Sequence, residues 1–435
     1  MVEKLFDPAD LANILKTETP YQRFCVAYSG GLDSAVLLHS LAVLQKQYPN
    51  WSLRALHVHH GLNTKADFWQ KHCETVCQTL GVPIETLAIR CVLSPGDSLE
   101  AVAREQRYAA LFNHLAADEV LLTAHHADDQ AETLLLQLLR GAGVAGLAAM
   151  PLSRWQNERL LLRPFLSYSR ASLLAYAKKA SLSWVDDDSN LNTAFDRNYL
   201  RHEVMPKLKA RWPAVVANLQ RSSQHCASAL GVLKAQAQSD LAIARVSRDV
   251  LSIQALLAFG IERQIECVRA WLRDCGLQAP SQKRLTHLFE QVIGARADAS
   301  PQLRLGTHEI RRYRDCLYLI KHGNFSKDIK KIQETPWGLH EPLTHDYGIA
   351  SVSWEQGRGL RYESGSADYS LCFGKGGDKL KKIFQAAGIP PWERPKQPLL
   401  FYKSELLAVS NYWVNKHYWV KADELGFQLV WKPLL

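Results

Sequence analysis

Six residues, Ser29-Gly30-Gly31-Leu32-Asp33-Ser34, lie between a short apolar run, Phe24–Tyr28, and a run with apolar residues at helical spacing that reaches Lys46. Strand, glycine turn and helix in that order form an anion cradle. Glycine has no Cβ, so backbone can approach the anion closely. The helix start offers unpaired N–H groups and a partial positive charge. Ser29 and Ser34 can add hydroxyl donors, and Asp33 can hold a magnesium ion against phosphate oxygens. The stretch lacks a Gly-Lys-Ser/Thr ending and is not the Gly-x-Gly-x-x-Gly of dinucleotide folds. An ordinary turn with a serine cap is the bland alternative, and the flanking elements weigh against it.

The first two hundred residues alternate in type. Strands are expected at Phe24–Tyr28, Leu53–His59, Ile84–Ile89 and Val120–Ala124, with helices over Ser34–Lys46, Ala66–Leu80 and Ser98–His114. Such alternation predicts a parallel sheet with helices on both faces. Ligands then collect at the carboxyl ends of the strands. The glycine loop follows the first strand, His57, His59 and His60 end the second, and His125-His126 end the fourth, so all can converge on one crevice. From about Asn218 to Ala295 the pattern turns helical, Pro301–Ile320 reads as a hairpin, and Gly323–Pro336 reads as a polar linker. Domains are expected at 1–215, 216–335 and 336–435.

At 435 residues the chain can hold two to four domains, and 47% hydrophobic residues are ample for their cores. No run of eighteen apolar residues occurs and the N-terminus has no signal-peptide profile, so a soluble, cytoplasmic protein without a membrane partner is expected. Nine scattered cysteines form no Cys-x-x-Cys, which suits a reducing compartment. Cys73 and Cys77, one helical turn apart, read as core packing rather than a metal site. The formal charge of +9 favours a polyanionic partner.

Four further stretches carry chemistry. In His125-His126-Ala127-Asp128-Asp129-Gln130-Ala131-Glu132-Thr133 an apolar helix follows, and Asp129 and Glu132 share one of its faces. Asp128 could serve the helix as a cap. In Ser98–Leu111, Glu100 and Arg104 are spaced as a surface pair, and Arg104 with Arg107 could equally face a phosphate. Asp186-Asp187-Asp188-Ser189-Asn190 leads to Arg197-Asn198 and Arg201, a mix suited to a polar substrate or a phosphate backbone. Last, Lys379, Lys382 and Gln385 can lie along one helix face with Ile383 and Phe384 inward, ahead of Gly388-Ile389-Pro390-Pro391-Trp392-Glu393-Arg394. That face is either a solubility feature or an RNA contact.

The Ser-Gly-Gly-x-Asp-Ser loop resembles that of the PP-loop ATP pyrophosphatases. Taken with the block at 125–133, Arg163-Pro164, Asp188-Ser189-Asn190, Arg197-Asn198 and Lys381-Lys382-Ile383-Phe384-Gln385-Ala386-Ala387-Gly388-Ile389-Pro390-Pro391-Trp392, the chain resembles the tRNA(Ile)-lysidine synthase family along nearly its whole length. The resemblance implies a Rossmann-like α/β parallel sheet of the PP-loop (adenine-nucleotide alpha-hydrolase) type, then a small helical domain and a small α+β C-terminal domain. It implies ATP and Mg2+, free L-lysine, and an isoleucine tRNA with a CAU anticodon. Lysine is attached to C2 of the wobble cytidine through an O2-adenylated intermediate, and decoding changes from Met to Ile. It implies that His125, Asp129 and Glu132 lie at the adenylation and lysine site. With them, Asp33 and Arg104 are the catalytic candidates, Ser29, Gly30, Gly31, Leu32, Asp33 and Ser34 are expected to hold the nucleotide, Asp33 is expected to hold the metal, and Arg197, Arg201, Lys379, Lys382 and Arg394 are the RNA candidates.

Rival readings are a PP-loop tRNA thiolase, a small-molecule amide-forming ATP pyrophosphatase and a non-catalytic RNA-binding protein. The first needs a cysteine motif that is not visible. The second sits poorly with the basic balance. The third sits poorly with intact Asp33, His125, Asp129 and Glu132.

Overall fold

The computed structural model describes residues 5–59, 61, 65–89, 99–156, 158–186, 192–296, 299, 301–321, 333–339, 341–345, 348–362, 368–373 and 378–433. The chain divides into two compact units, Met1–Ala235 and Gln236–Leu435.

The first unit runs α1 (Pro8–Glu18), β1 (Arg23–Ala27), α2 (Leu32–Gln47), β2 (Ser52–His59), α3 (Ala66–Leu80), β3 (Ile84–Ala88), α4 (Leu99–Asn113), β4 (Glu119–Leu122), α5 (Ala127–Leu139), α6 (Val144–Leu147), β5 (Ser153–Gln156), β6 (Arg159–Leu162), α7 (Arg170–Lys179) and α8 (Asp196–Tyr199). A π-helical turn, Leu200–Val204, leads into α9 (Met205–Arg211) and the long α10 (Val215–Ala244), whose last residues, from Gln236, belong to the second unit. The six strands form one sheet in the order β3-β2-β1-β4-β6-β5. All neighbours are parallel except β5, which joins β6 as an antiparallel edge.

Period-two alternation decides which core each side chain enters. Phe24 and Val26 of β1, Leu53 and Ala55 of β2, and Val120 and Leu122 of β4 join one buried cluster with Val36, Leu37 and Leu38 of α2. Cys25, Leu56 and Leu121 enter the opposite cluster with Leu111 and Phe112 of α4. Burial on both faces is why β1 and β4 read as near-continuous apolar runs. Gly81 closes α3 at φ 67°, a left-handed C-cap that glycine adopts without Cβ strain. Cys73 and Cys77 are free thiols in the core, and burial pushes each up to about 12, which makes them inert at neutral pH.

In the second unit the expected helical stretch contains a strand pair, Arg245–Ser247 with Val250–Ser252, too short for periodicity to reveal. The expected hairpin is a meander of three strands, Gln302–Leu305, His308–Tyr313 and Cys316–Lys321, because the chain turns again at Arg314 with φ 51°. All five strands form one sheet over a core around Trp271 and Leu285. Of the expected linker, Gln333–Pro336 is a strand paired with Tyr369–Phe373; residues 323–332 lie outside the described ones. Beyond it, two antiparallel sheets of five and four strands share a core that includes Tyr369, Leu400 and Phe427. On the helix Asp378–Ala386, Leu380 and Phe384 are buried while Lys379, Lys382 and Gln385 are exposed. No helix among the described residues is long and apolar enough to cross a membrane.

Candidate active site

The glycine turn joins β1 to α2. Gly30 takes φ +83°, a left-handed value, and a Cβ there would stand 2.9 Å from Cys73 Sγ and 3.1 Å from Val185 Cγ2. Only glycine suits both demands. Gly31 caps α2 and leaves the first helical N–H groups without a side-chain cap. The Ser34 hydroxyl donates to the Gly31 carbonyl at 2.9 Å and lies 3.1 Å from the Ser29 hydroxyl, so both serines brace the loop. Asp33, in the first turn of α2, has one buried carboxylate oxygen, Oδ1, with no hydrogen-bond partner.

At the end of the neighbouring strand β4, His126 is the N-cap of α5. The Asp129 carboxylate accepts from the His126 backbone N–H at 3.1 Å, and the Asp129 N–H donates to His126 Nδ1 at 3.4 Å, a reciprocal capping box. The outer nitrogen Nε2 of the same ring lies 3.5 Å from Asp33 Oδ2 and 3.5 Å from Asp129 Oδ2. His126 therefore ties the glycine-loop helix to α5 across the β1/β4 boundary, where connections reverse direction along the sheet.

Asp128, Asp129 and Glu132 are all buried. Each has a different set of partners. Asp128 accepts from the Arg170 backbone N–H at 2.9 Å and from Lys209 Nζ at 2.6 Å, so it is a tertiary tie rather than a cap. Asp129 Oδ1 accepts from Arg197 Nη2 at 3.0 Å and Arg201 Nη2 at 2.9 Å. Glu132 accepts from Arg197 Nε at 3.0 Å and Arg201 Nε at 2.7 Å. Arg201 sits in the π-helical turn that follows α8. Burial alone would raise Asp129, but His126, Arg197, His125 and Arg201 together hold it well below the usual carboxylate range. It stays ionised at any physiological pH.

His125 is set differently. Its Nδ1 lies 2.9 Å from the Thr123 hydroxyl. Burial pushes the imidazole down to about 3, against the pull of Asp129 and helped by the cations Arg163, Arg104 and Arg197. The ring is neutral at pH 7. For His126 burial also lowers affinity for the proton, but Asp129, Asp33 and Asp128 more than offset it, and the net shift is upward.

These two shifts have opposite pH signatures. The His125 contribution to stability is present above pH 6.5 and is lost as pH falls toward about 3, because the unfolded ring binds its proton first. The His126 contribution is present below pH 6.5 and fades as pH rises through its raised value. Asp129 contributes above its ordinary 3.8 and weakens only below that. Between pH 6.5 and about 4 the His125 effect adds to those of His57 and His39, which burial also lowers, so the His125 share is the difference between parent and variant. Thermal melting across that window is expected to fall with acid in the parent and to be flatter in His125→Asn. Parallel curves would assign the loss elsewhere.

Arg104 is half-buried, its guanidinium 5.3 Å from the Tyr108 ring centre, and Arg107 stands 5.8 Å from the same ring. Arg104 is among the cations that act on His125, and Arg107 feels the charges of Arg104 and Arg197. Arg163, just after β6, is buried and donates to the Pro151 carbonyl at 2.9 Å. His57 turns its Nδ1 to the Tyr28 carbonyl at 2.9 Å, so its ring supports β1 from within the fold. Lys209 carried no signal in the sequence, being one cation in a basic helix. The side chain of Glu100, and His60, Ser98, Asp187, Asp188, Ser189 and Asn190, lie outside the described residues. In the second unit Lys379 Nζ stands 5.7 Å over the Trp413 ring, and Arg394 Nε donates to the Ile389 carbonyl at 3.0 Å.

Comparison with known proteins agrees along the chain. The PP-loop domain, an ATP-using domain, matches residues 7–208; the TilS substrate binding domain matches 251–318 and the TilS substrate C-terminal domain 359–431. The tRNA(Ile)-lysidine synthase of Coxiella burnetii is 40% identical, over 99% of this chain and 97% of its own. The protein of the same name from Methylococcus capsulatus is 37% identical, over 95% of this chain and 97% of its own. Among solved structures, the U34-tRNA thiolase NcsA from Methanococcus maripaludis with its [4Fe-4S] cluster is 16% identical at a TM-score of 0.41, covering 50% of this chain and 77% of that one. With identities near 40% over almost the full length, the chain belongs to the tRNA(Ile)-lysidine synthase family.

Proposed function

We propose that this chain joins free L-lysine to C2 of the wobble cytidine of the CAU-anticodon isoleucine tRNA, with ATP converted to AMP and diphosphate. The observation that carries the reading is the bridge made by His126 between Asp33 of the glycine-loop helix and Asp129 of α5. It brings an anion cradle and a buried acidic pair into one crevice. Three domains, 1–215, 216–335 and 336–435, fit the spans of the three family matches.

The chemistry explains the residue types. The C2 carbonyl of cytosine is a weak electrophile with no leaving group. Its O2 attacks the α phosphorus of ATP, the bond to the β phosphate breaks, and diphosphate leaves into the cradle of Gly30, Gly31, Leu32 and Ser34, with Ser29 at its edge. Lysine Nε then attacks C2, the C2–O2 bond breaks, and AMP carries the oxygen away. Free lysine holds its ε-proton to about pH 10.4, so a proton is lost before attack. Asp129 and Glu132 are assigned to the ammonium groups of lysine, and His125, neutral and beside them, to the nucleotide or the reacting base. Arg104 is assigned to the α phosphate as charge develops there.

Asp33 fits Mg2+. Its buried Oδ1 has no partner in the fold, and Mg2+ is commonly held by one or two carboxylates plus substrate phosphates. Bound there, Mg2+ would neutralise charge on the departing diphosphate.

Arg197 and Arg201 are candidates for RNA phosphate, but both guanidinium groups are engaged by Asp129 and Glu132, so a phosphate has to draw them off those acids. Lys379, Lys382 and Arg394 are the RNA candidates of the second unit. Lys379→Ala with Lys382→Ala is expected to weaken tRNA binding and reduce the salt slope by about 0.7–0.9 per lost phosphate contact. An unchanged slope returns that exposed face to solubility.

The decisive experiment incubates the protein with ATP, lysine and unmodified tRNA, followed by nucleoside mass analysis. A lysine adduct on cytidine is expected. Sulfur transfer, or turnover without tRNA, would favour the thiolase or the small-molecule synthetase instead.

A further inference from the structure

Beside the glycine loop, along α3, lies a cavity of about 510 Å3 whose lining includes Lys65, Phe68, Trp69, His72, Trp184 and Asp186. Positions 65, 68, 69 and 72 fall on one face of the first turns of α3. Phe68 is 64% exposed, a large apolar side chain left in water. His72 Nε2 is buried and has no hydrogen-bond partner. The Val185 N–H donates to the Gly30 carbonyl at 3.0 Å, so the cavity wall and the phosphate loop share an edge. Two indoles and a phenyl ring supply π faces. The imidazole nitrogen of His72 and the carboxylate of Asp186 supply partners for a polar edge. Stacking faces beside edge-on donors and acceptors are how proteins hold unpaired bases.

The position of the cavity selects which base. The reactive crevice lies at the β1/β4 boundary, where His126 meets Asp33. The cavity lies on the other flank, beside α3, whose Cys73 and Cys77 share a core with α2. An RNA that delivers its cytidine to the crevice takes that base out of the stack and leaves the flanking bases unpartnered. We propose that this cavity receives an unpaired RNA base adjacent to the reacting cytidine, and so helps to select the substrate by its flanking sequence. The inference rests on the tRNA-modifying reading above.

The test uses the full chain, unmodified CAU-anticodon transcript, and transcripts made abasic at either nucleotide flanking the wobble cytidine. Trp69→Ala is expected to weaken transcript binding about tenfold. The KM for ATP in diphosphate release should not change. Removing one flanking base should cost the parent a similar factor and cost Trp69→Ala little more, since the two losses are one interaction. Phe68→Ala, exposed and free of a folding penalty, should weaken binding in the same direction. Additive losses at both flanks would overturn the inference. So would a raised KM for ATP with RNA binding intact, which would give the cavity to adenine. If the parent neither binds the transcript nor releases diphosphate, it is the ligase reading that fails.

Discussion

Asp33→Asn is expected to cut tRNA-dependent diphosphate release by about a thousandfold, the scale of several kcal/mol of lost charge stabilisation, while tRNA affinity stays within about twofold. Asparagine keeps the size of the side chain and an oxygen at the cradle but removes the charge. Asp33 also faces His126 Nε2 at 3.5 Å, so the variant loses one of the carboxylates that raise that ring. The check is diphosphate release and filter binding on the same preparation. Equal loss of both would mean that Asp33 shapes the fold or the RNA surface instead of the reacting phosphates.

Glu132→Gln is expected to separate the two half-reactions. Adenylated tRNA should accumulate, and lysine incorporation should fall by about 10²–10³-fold, the usual cost of removing one positioned polar group from a reacting centre. The amide is chosen on structural grounds. Glu132 is 2% exposed and takes hydrogen bonds from both Arg197 and Arg201. Truncation to alanine would strand two guanidinium groups beside Asp129 alone, and breaking a buried pair costs about 3–5 kcal/mol. Glutamine leaves an acceptor for Arg201 Nε, so the melting temperature serves as the control. Normal lysine incorporation, or no adenylate at all, would remove Glu132 from the lysine step.

Much of the first unit was legible because its signals are local. β1 and β4 are apolar runs next to a glycine turn or a histidine pair, β2 carries Leu53, Ala55, Leu56 and Val58 ahead of His59-His60, and Gly81 with Pro83 marks where α3 ends. The antiparallel edge β5–β6 and the strand pair at 245–252 were not legible, since strands of three or four residues carry too few positions for a period. Meander and hairpin differ by a single left-handed residue, Arg314, which no composition rule selects.

The candidate site divides along the same line. Residue order alone placed a glycine turn between a strand and a helix, and put Asp129 and Glu132 three apart on one helical face. It could not reveal that Arg197 and Arg201 close over those acids, because the contacts join residues 65 to 72 positions apart. Nor could it separate two adjacent histidines. His125 and His126 are neighbours in the chain, yet one is driven down to about 3 by burial and the other is raised by three nearby carboxylates. Backbone geometry is written in short-range sterics and periodicity. Charge state and partnership depend on desolvation and on distances across the fold, and only the packed chain sets those.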